Sequence, residues 1–421
     1  MNILILLKSF NYPPRNGGDQ AVFNAIKKLM FHVHYHIIST DNSTEGQNSV
    51  TAFKCDFPGI PILIYDINTL NKYQWIYKKA LRISNYINNR NGNKQIVNLQ
   101  QINMYDARVD YNNAFFQFLN QYIVQQQIDI VQGEFQFTLG WLKGITGKIK
   151  KVFVHHEIQF VVEHQRLVQR DHTVNDLYFY EQQRQQEINA LNACDAIITL
   201  SENDRQKLIT AGVHAPIFAS FAQISLHNIP ISYPINIQKH LVFIGPESHQ
   251  PNKQGMQWFM DNVFPLIHQQ EPETKISIIG RWSIETQQQW TCQYSNIHFL
   301  GFVDDLAKTA KECILIVPLF QGSGIRMKIL EACNIGIPFV ATTIGAEGLG
   351  FTDGENCYIE DDKTQFAQKI LNLLQNPNIA NSFIRKSIAH IRNNFTDEQL
   401  VNSRMKCYNS MTNTDTNERK Q

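Results

Sequence analysis

Val317-Pro318-Leu319-Phe320-Gln321-Gly322-Ser323-Gly324-Ile325-Arg326-Met327-Lys328-Ile329-Leu330-Glu331-Ala332-Cys333 is the stretch on which the fold turns, with Gly336-Ile337-Pro338-Phe339-Val340-Ala341-Thr342 and Gly345-Ala346-Glu347-Gly348-Leu349 behind it. The apolar run Cys313 to Val317 ahead of it reads as a buried strand. Gly322-Ser323-Gly324 then makes a hinged turn, where backbone without Cβ lets a ligand come close. A helix beginning there offers free N–H groups and a positive dipole end to an anion. Gly336 and Pro338 stop the helix, and Phe339 to Thr342 reads as the next strand. Strand, glycine turn, helix and strand together form a nucleotide-binding unit of an α/β fold.

Helical spacing sorts the side chains. At about 100° per residue, Ile325, Ile329 and Ala332 share a face that packs on the sheet. Lys328 and Glu331 are neighbours on another face. The lysine suits a phosphate as a point charge, and the carboxylate can accept two ribose hydroxyls. Arg326 is expected in the first turn, within reach of a phosphate.

These motifs resemble the donor-binding signature of retaining glycosyltransferases of the GT-B architecture, family 4 (group 1 glycosyltransferases). The family's carboxylate–seven residues–carboxylate pattern would run from Ser323 to Glu331. Serine replaces the first acid, so that acid's role does not carry over, and Ser323 with the backbone amides would contact sugar or phosphate instead. The resemblance implies two doubly wound Rossmann-like domains facing a central cleft. It also implies transfer of a sugar from a nucleotide-sugar donor, a UDP- or GDP-sugar, to an acceptor hydroxyl with retention and without a metal or other cofactor.

Composition sets bounds. A chain of 421 residues is comfortable for two domains. With 43% hydrophobic residues and a net charge of +1 it is globular, and no basic field argues for nucleic acid. Seven scattered cysteines fit reduced thiols rather than a disulfide framework or a zinc site, which points to the cytoplasm. The short apolar run Ile3 to Leu7 reads as a first strand, too short for a signal core or a membrane span.

In chain order, Gly17-Gly18 precede a helix expected from Gln20 to Phe31 and suit a phosphate or a close acceptor. The family has a glycine-rich loop at this place. His32, His34 and His36 alternate as on one face of a strand, and a structural role is expected for them. Residues 72–87 mix Trp75, Tyr77, Lys78, Lys79 and Arg82. They read as a surface helix or as a peripheral contact with the inner face of a membrane. The strand Val152 to Val154 ends in His155-His156-Glu157, at the strand end where ligands of open sheets gather. The resemblance assigns His156 to the donor sugar, with His155 second; Glu157 beside them is expected to orient the imidazole, and Glu134 ends the neighbouring strand. Asp195 to Leu200 reads as a strand, and Ser201-Glu202-Asn203-Asp204 as the cap of the next helix.

Residues 222–238 carry Pro230 and Pro234 with little periodicity and read as a hinge. The domains are therefore expected at 1–225 and 235–395, with a final helix 397–408 packing back on the first and a polar tail 409–421. The resemblance places Gly245, after the strand His240 to Gly245, beside the donor phosphates. Pro246 stands where relatives carry an arginine, and Lys253 is a candidate substitute before a helix expected from Gly255 to His268. That shifts the phosphate-neutralising role towards Arg326 and Lys328. Gly280 and Arg281 follow the strand Lys275 to Ile279, and Phe302 and Val303 are expected at the nucleobase. Asp304-Asp305 reads as a helix cap, and Gly354 to Ile359 as a last strand. The acceptor expected from the resemblance is a glycan or a lipid-linked glycan of surface polysaccharide assembly. The alternatives are a non-catalytic sugar-binding protein of the same architecture, motivated by Ser323 and Pro246, or a nucleotide-sugar epimerase or hydrolase.

Overall fold

The structure is a computed structural model and describes residues 1–66, 113–222, 224 and 234–412. The basic-aromatic segment 72–87, most of the expected hinge, and the tail beyond Thr412 lie outside the described residues. The chain divides into two compact units. The first holds Met1–Leu200, Arg205–Ser220 and the last helix from Val401 on, and the second holds Ser201–Asp204 and Phe221–Leu400.

In the first unit the elements run β1 (Asn2–Leu7), α1 (Gly17–Leu29), β2 (His34–Ser39), α2 (Thr44–Asp56), β3 (Ile62–Ile64), α3 (Asn113–Gln125), β4 (Ile130–Glu134), α4 (Gln136–Gly144), β5 (Lys150–His155), α5 (Gln159–Val168), α6 (Val174–Leu191), β6 (Ala196–Thr199), α7 (Glu202–Thr210) and β7 (Ile217–Ala219). The sheet order is β3-β2-β1-β4-β5-β6-β7, every pair parallel. Helices cover both faces of such a sheet, so its strands read as unbroken apolar runs. Ile3, Leu4 and Leu6 of β1 and Val152, Phe153 and Val154 of β5 have no exposed surface. The order reverses direction between β1 and β4, and the loops after those strands flank the crevice where doubly wound sheets bind ligands.

The second unit runs β8 (His240–Ile244), α8 (Gln250–Trp258), a π turn (Phe259–Val263), α9 (Phe264–Gln270), β9 (Lys275–Ile279), α10 (Ile284–Gln293), β10 (Ile297–Gly301), α11 (Leu306–Thr309), β11 (Ile314–Val317), α12 (Met327–Asn334), β12 (Phe339–Ala341), α13 (Thr343–Ala346), β13 (Tyr358–Ile359), α14 (Lys363–Gln375) and α15 (Pro377–Asn394), and then α16 (Asp397–Thr412) ends the described chain. Its all-parallel sheet has the order β10-β9-β8-β11-β12-β13, which puts the switch point between β8 and β11. The chain thus has the GT-B class of α/β fold, built from two Rossmann-like parallel sheets.

Several boundaries differ from the sequence reading. The first helix starts at Gly17 rather than Gln20, because Asn16 caps it by accepting the Asp19 N–H. His32 lies before β2, so the three histidines do not share a strand face, and buried His36 instead meets the Tyr122 hydroxyl at 3.0 Å. α8 begins at Gln250, five residues early, with Pro251 in its first turn. The expected last strand shrinks to Tyr358–Ile359, since Thr352 to Asn356 form a turn closed by Thr352 N–H donating to Asn356. Asp305 caps α11 through the Lys308 N–H, and Ser201 takes the N–H of Asp204.

Candidate functional site

In the second unit the loop from Pro318 to Arg326 joins β11 to α12, and its shape is held from inside. Arg326 sits at the cap of α12, one residue before the first turn expected for it, and only 9% of its surface is exposed. Its guanidinium donates to the carbonyls of Ser323 at 2.7 Å, Gly324 at 2.9 Å and Ile344 at 3.3 Å. The turn leaves those carbonyls without ladder partners, and a five-donor fork satisfies several at once. Gly322 has φ +124°, and a Cβ there would stand 2.8 Å from Arg326 Nη2, so the arginine packs directly on the glycine. Ile325 likewise precedes the helix rather than sharing its inner face, while Ile329 and Ala332 are fully buried as the periodicity required. Gly324 donates its N–H to Asp204 Oδ2 at 3.0 Å, a carboxylate that also accepts from the Ser201 hydroxyl. In the structure, then, Arg326 and Asp204 brace the loop.

Lys328 and Glu331 both fall within α12, the lysine in its first turn. Half-buried Lys328 extends Nζ to Asn252 Oδ1 at 3.1 Å and over the Phe243 ring at 4.5 Å. Burial, aided by the neighbouring Arg326 charge, lowers its ammonium from 10.5 to about 7 against the opposing pull of Glu331. A cation so poorly solvated is poised to gain from an incoming anion.

The glycine loops at the ends of β8, β9 and β10 interlock. Gly245 has φ +148°, and a Cβ on it would lie 2.4 Å from Asn252 Nδ2. A Cβ on Gly280 would lie 2.6 Å from the Gly245 carbonyl. Asn252 itself donates to the Pro246 carbonyl at 3.0 Å, so one buried amide ties the loop after β8 to Lys328. Lys253 pairs with Glu247 at 2.9 Å. Burial would raise that carboxyl, but Lys253 and the Ser283 and Thr286 donors outweigh it and hold Glu247 at about 2. Arg281 is exposed and its carbonyl accepts the Glu247 N–H at 3.0 Å; Val303 is half-buried, and Phe302 stands 70% exposed.

In the first unit the loops after β1, β4 and β5 bring a second cluster together. Gly17 and Gly18 are the first residues of α1, and a Cβ on Gly18 would lie 2.8 Å from the Phe135 ring. Asp19 folds the preceding loop onto itself, accepting from Arg15 N at 3.2 Å, Asn16 Nδ2 at 2.7 Å and Asn11 Nδ2 at 3.4 Å. Its carboxyl is raised by burial despite those donors. Phe135 holds φ +63°, a conformation that side chains adopt only where surroundings enforce it, and stacks on His156 at 4.1 Å.

The two histidines separate cleanly. His155 ends β5 and is buried against Glu187 at 3.0 Å. The same carboxylate accepts Gln159 N at 3.1 Å and Phe160 N at 2.9 Å, so Glu187 of α6 caps α5 and fixes His155 as scaffold. His156 places Nε2 2.6 Å from Glu134 Oε2. Glu157, expected to orient the imidazole, bonds only locally, to Gln159 Nε2 at 3.3 Å, because the sheet sets the end of β4 beside the end of β5. Asp19, Asn252 and Glu187 escaped the sequence reading, as did the hold of Asp204 on Gly324, since Asp204 was read only as part of a helix cap. Each acts through a partner the spacing does not reveal, although the Asp19 position, directly after a glycine pair, was visible. Among the described residues no group of three or more His, Cys, Asp or Glu side chains is arranged to hold a metal ion, and no helix is long and apolar enough to cross a membrane.

Comparison with known proteins agrees with this fold. Residues 238–376, nearly all of the second unit's sheet and its covering helices, match the family model for glycosyl transferases group 1. The second unit therefore carries a group 1 glycosyltransferase domain. A protein of Klebsiella pneumoniae described as an uncharacterized 44.6 kDa protein in the cps region is 24% identical over 307 residues, covering 68% of this chain and 75% of the relative. A mutant of S. aureus TarM, solved with fondaparinux, alpha-GlcNAc-glycerol and UDP, superposes with a TM-score of 0.70 at 14% identity over 97% of this chain and 99% of that one. HepE of Anabaena, solved with UDP and glucose, gives a TM-score of 0.67 at 15% identity over 97% of this chain and all of that one, 100%.

Proposed function

We propose that the protein is a retaining glycosyltransferase that moves a sugar from a nucleotide-sugar donor, a UDP- or GDP-sugar, to a hydroxyl of a glycan or lipid-linked acceptor in surface polysaccharide assembly. The observation that carries the reading is the desolvated Lys328, held by Asn252 one turn from Glu331 at the switch point of a group 1 glycosyltransferase domain. Glu331 accepts the ribose hydroxyls, and Lys328 with the N-terminal end of α12 meets the diphosphate. Arg326, engaged with its own loop, shapes the turn and sets its charge beside Lys328. Phe302 and Val303 face the base, with Gly245, Gly280 and Arg281 along the diphosphate.

The chemical task is to stabilise a leaving diphosphate while positive charge develops on the sugar. In this reading the protein's own cation and helix dipole supply that stabilisation, without a metal. Gly17, Gly18 and His156 of the first unit serve the acceptor and the sugar. The UDP in the TarM and HepE structures and the cps-region origin of the Klebsiella relative support the donor class and the pathway.

Incubation of the purified protein with UDP- and GDP-sugars, in chelator and without acceptor, tests the reading through slow donor hydrolysis. Release of free sugar with the donor's anomeric configuration is expected. Inverted sugar, an epimerised donor, or no turnover together with no binding would overturn it.

A further inference from the structure

Five side chains of the first unit form one continuous buried hydrogen-bonded chain, and only its last pair belongs to the site described above. Tyr408 of α16 donates its hydroxyl to Gln132 Oε1 at 2.6 Å, Gln132 Nε2 donates to Glu134 Oε1 at 2.6 Å, and Glu134 Oε2 lies 2.6 Å from His156 Nε2. Tyr35 bonds to the Tyr408 oxygen at the far end. Tyr35, Gln132, Glu134 and Tyr408 are each at most 3% exposed, and the His156 side chain is 9% exposed. The opposite ring nitrogen, Nδ1, is buried with no hydrogen-bond partner among the described residues.

With Glu134 as a carboxylate, each bond in this chain has one direction. A carboxylate only accepts, so Gln132 must turn its amide N–H₂ towards Glu134 and its carbonyl away. That carbonyl needs a donor, which the Tyr408 hydroxyl supplies, and Tyr408 in turn accepts from Tyr35. Burial keeps both phenols neutral donors: it raises Tyr408 to about 12 and Tyr35 well above its ordinary value. Three donors thus run in series, Tyr35 to Tyr408 to Gln132, and only the last meets one carboxylate oxygen, while the other oxygen calls for the proton on His156 Nε2. A neutral imidazole so held has its lone pair at Nδ1. Unpaired acceptors of this kind are rare in native interiors, and a ligand donor is one explanation for them.

We infer that Gln132 and Tyr408 are positioning residues for His156: through Glu134 they lock the imidazole as its Nε2–H tautomer, so that Nδ1 meets a substrate hydroxyl only as an acceptor. The last described helix thereby sets the chemistry of a residue just after β5, far away in sequence. This inference rests on His156 being a ligand-facing residue of the transferase proposed above, but its central claim, the tautomer, is read without turnover.

The test is long-range proton–nitrogen correlation on full-length protein labelled at histidine nitrogen, with His156 assigned by its loss in His156→Gln. A protonated, pyrrole-type Nε2 and a bare, pyridine-type Nδ1 are expected in the parent protein. Glu134→Gln presents an N–H₂ to the ring and should reverse the two signals. Gln132→Met removes the orienting amide and should mix them, and Tyr408→Phe, which keeps the ring and drops only the hydroxyl, is run beside it in case the first variant folds poorly. For donor turnover, kcat should fall on the order of tenfold in Gln132→Met with KM nearly unchanged, as when an outer partner of a functional histidine is lost. An Nδ1–H tautomer in the parent, or unchanged His156 signals in all three variants, would overturn the inference even if the protein is an active transferase. Absence of turnover with the expected tautomer would strike the transferase reading alone.

Discussion

Donor binding should depend on pH through Lys328. In the free protein, burial and Arg326 lower this ammonium to about 7. A diphosphate placed against it restores the charged form, so binding above neutrality must draw in a proton. Between pH 6 and 8 the charged fraction of the free protein falls from about nine-tenths to one-tenth, and affinity for an intact nucleotide-sugar should drop about tenfold, or ~1.4 kcal/mol. An intact nucleotide-sugar is the right ligand because its diphosphate does not titrate in that range. Calorimetry at pH 8 in two buffers of different ionisation enthalpy should report uptake of nearly one proton. Lys328→Arg, charged throughout, should flatten the profile. The same shift acts on stability. The native state holds fewer protons than the unfolded chain between about 7 and 10.5, so stability should rise with pH across that window and be lowest below it. A pH-independent donor affinity in the parent protein, or an equal slope in Lys328→Arg, would refute the assignment.

Gly245→Ala should cost roughly 1–3 kcal/mol in urea unfolding, because its φ of +148° and the Asn252 amide 2.4 Å from the new methyl both oppose it. It should also weaken donor binding by disturbing the Asn252–Lys328 bond. Glu187→Ala removes one carboxylate from His155 and from two helix-start amides. The loss should reach roughly 3 kcal/mol, measured by denaturant midpoint, with a change under about 0.5 kcal/mol contradicting its scaffold role. Phe302→Ala should leave stability within about 0.5 kcal/mol, since the ring is 70% exposed. If the ring stacks on the base, nucleotide affinity should fall by ~1–3 kcal/mol; equal affinity would remove Phe302 from the base pocket.

The fold was legible where burial on both sheet faces writes itself as an apolar run. Lys275–Ile279 reads from sequence at its observed limits, and Ile314–Val317 within a residue. Helix starts were less legible, because caps belong to side-chain geometry: Asn16 moves α1 forward, and the inward guanidinium of Arg326 delays α12 to Met327. The site separated along the same line. Lys328 and Glu331 declare themselves by helical spacing, and His156 by its place at a strand end. Of their partners, Glu134 was placed on the neighbouring strand, but Asn252 and Glu187 do not show, for they meet Lys328 and His155 across 76 and 32 residues of sequence. Only the strand order of each sheet brings such residues together. The strained Phe135 left no sequence signal, since nothing in its residue type asks for φ +63°.

The account turns on a nucleotide site in the second unit, and calorimetric titration with UDP, GDP, ADP and CMP, without added metal, addresses it most directly. The parent protein should bind one of these at micromolar concentration, and Glu331→Ala should bind it on the order of 100-fold more weakly, through loss of two charge-assisted hydroxyl bonds. Binding of none of the four, or equal binding by Glu331→Ala, would contradict the account and favour a scaffold that no longer uses a nucleotide donor.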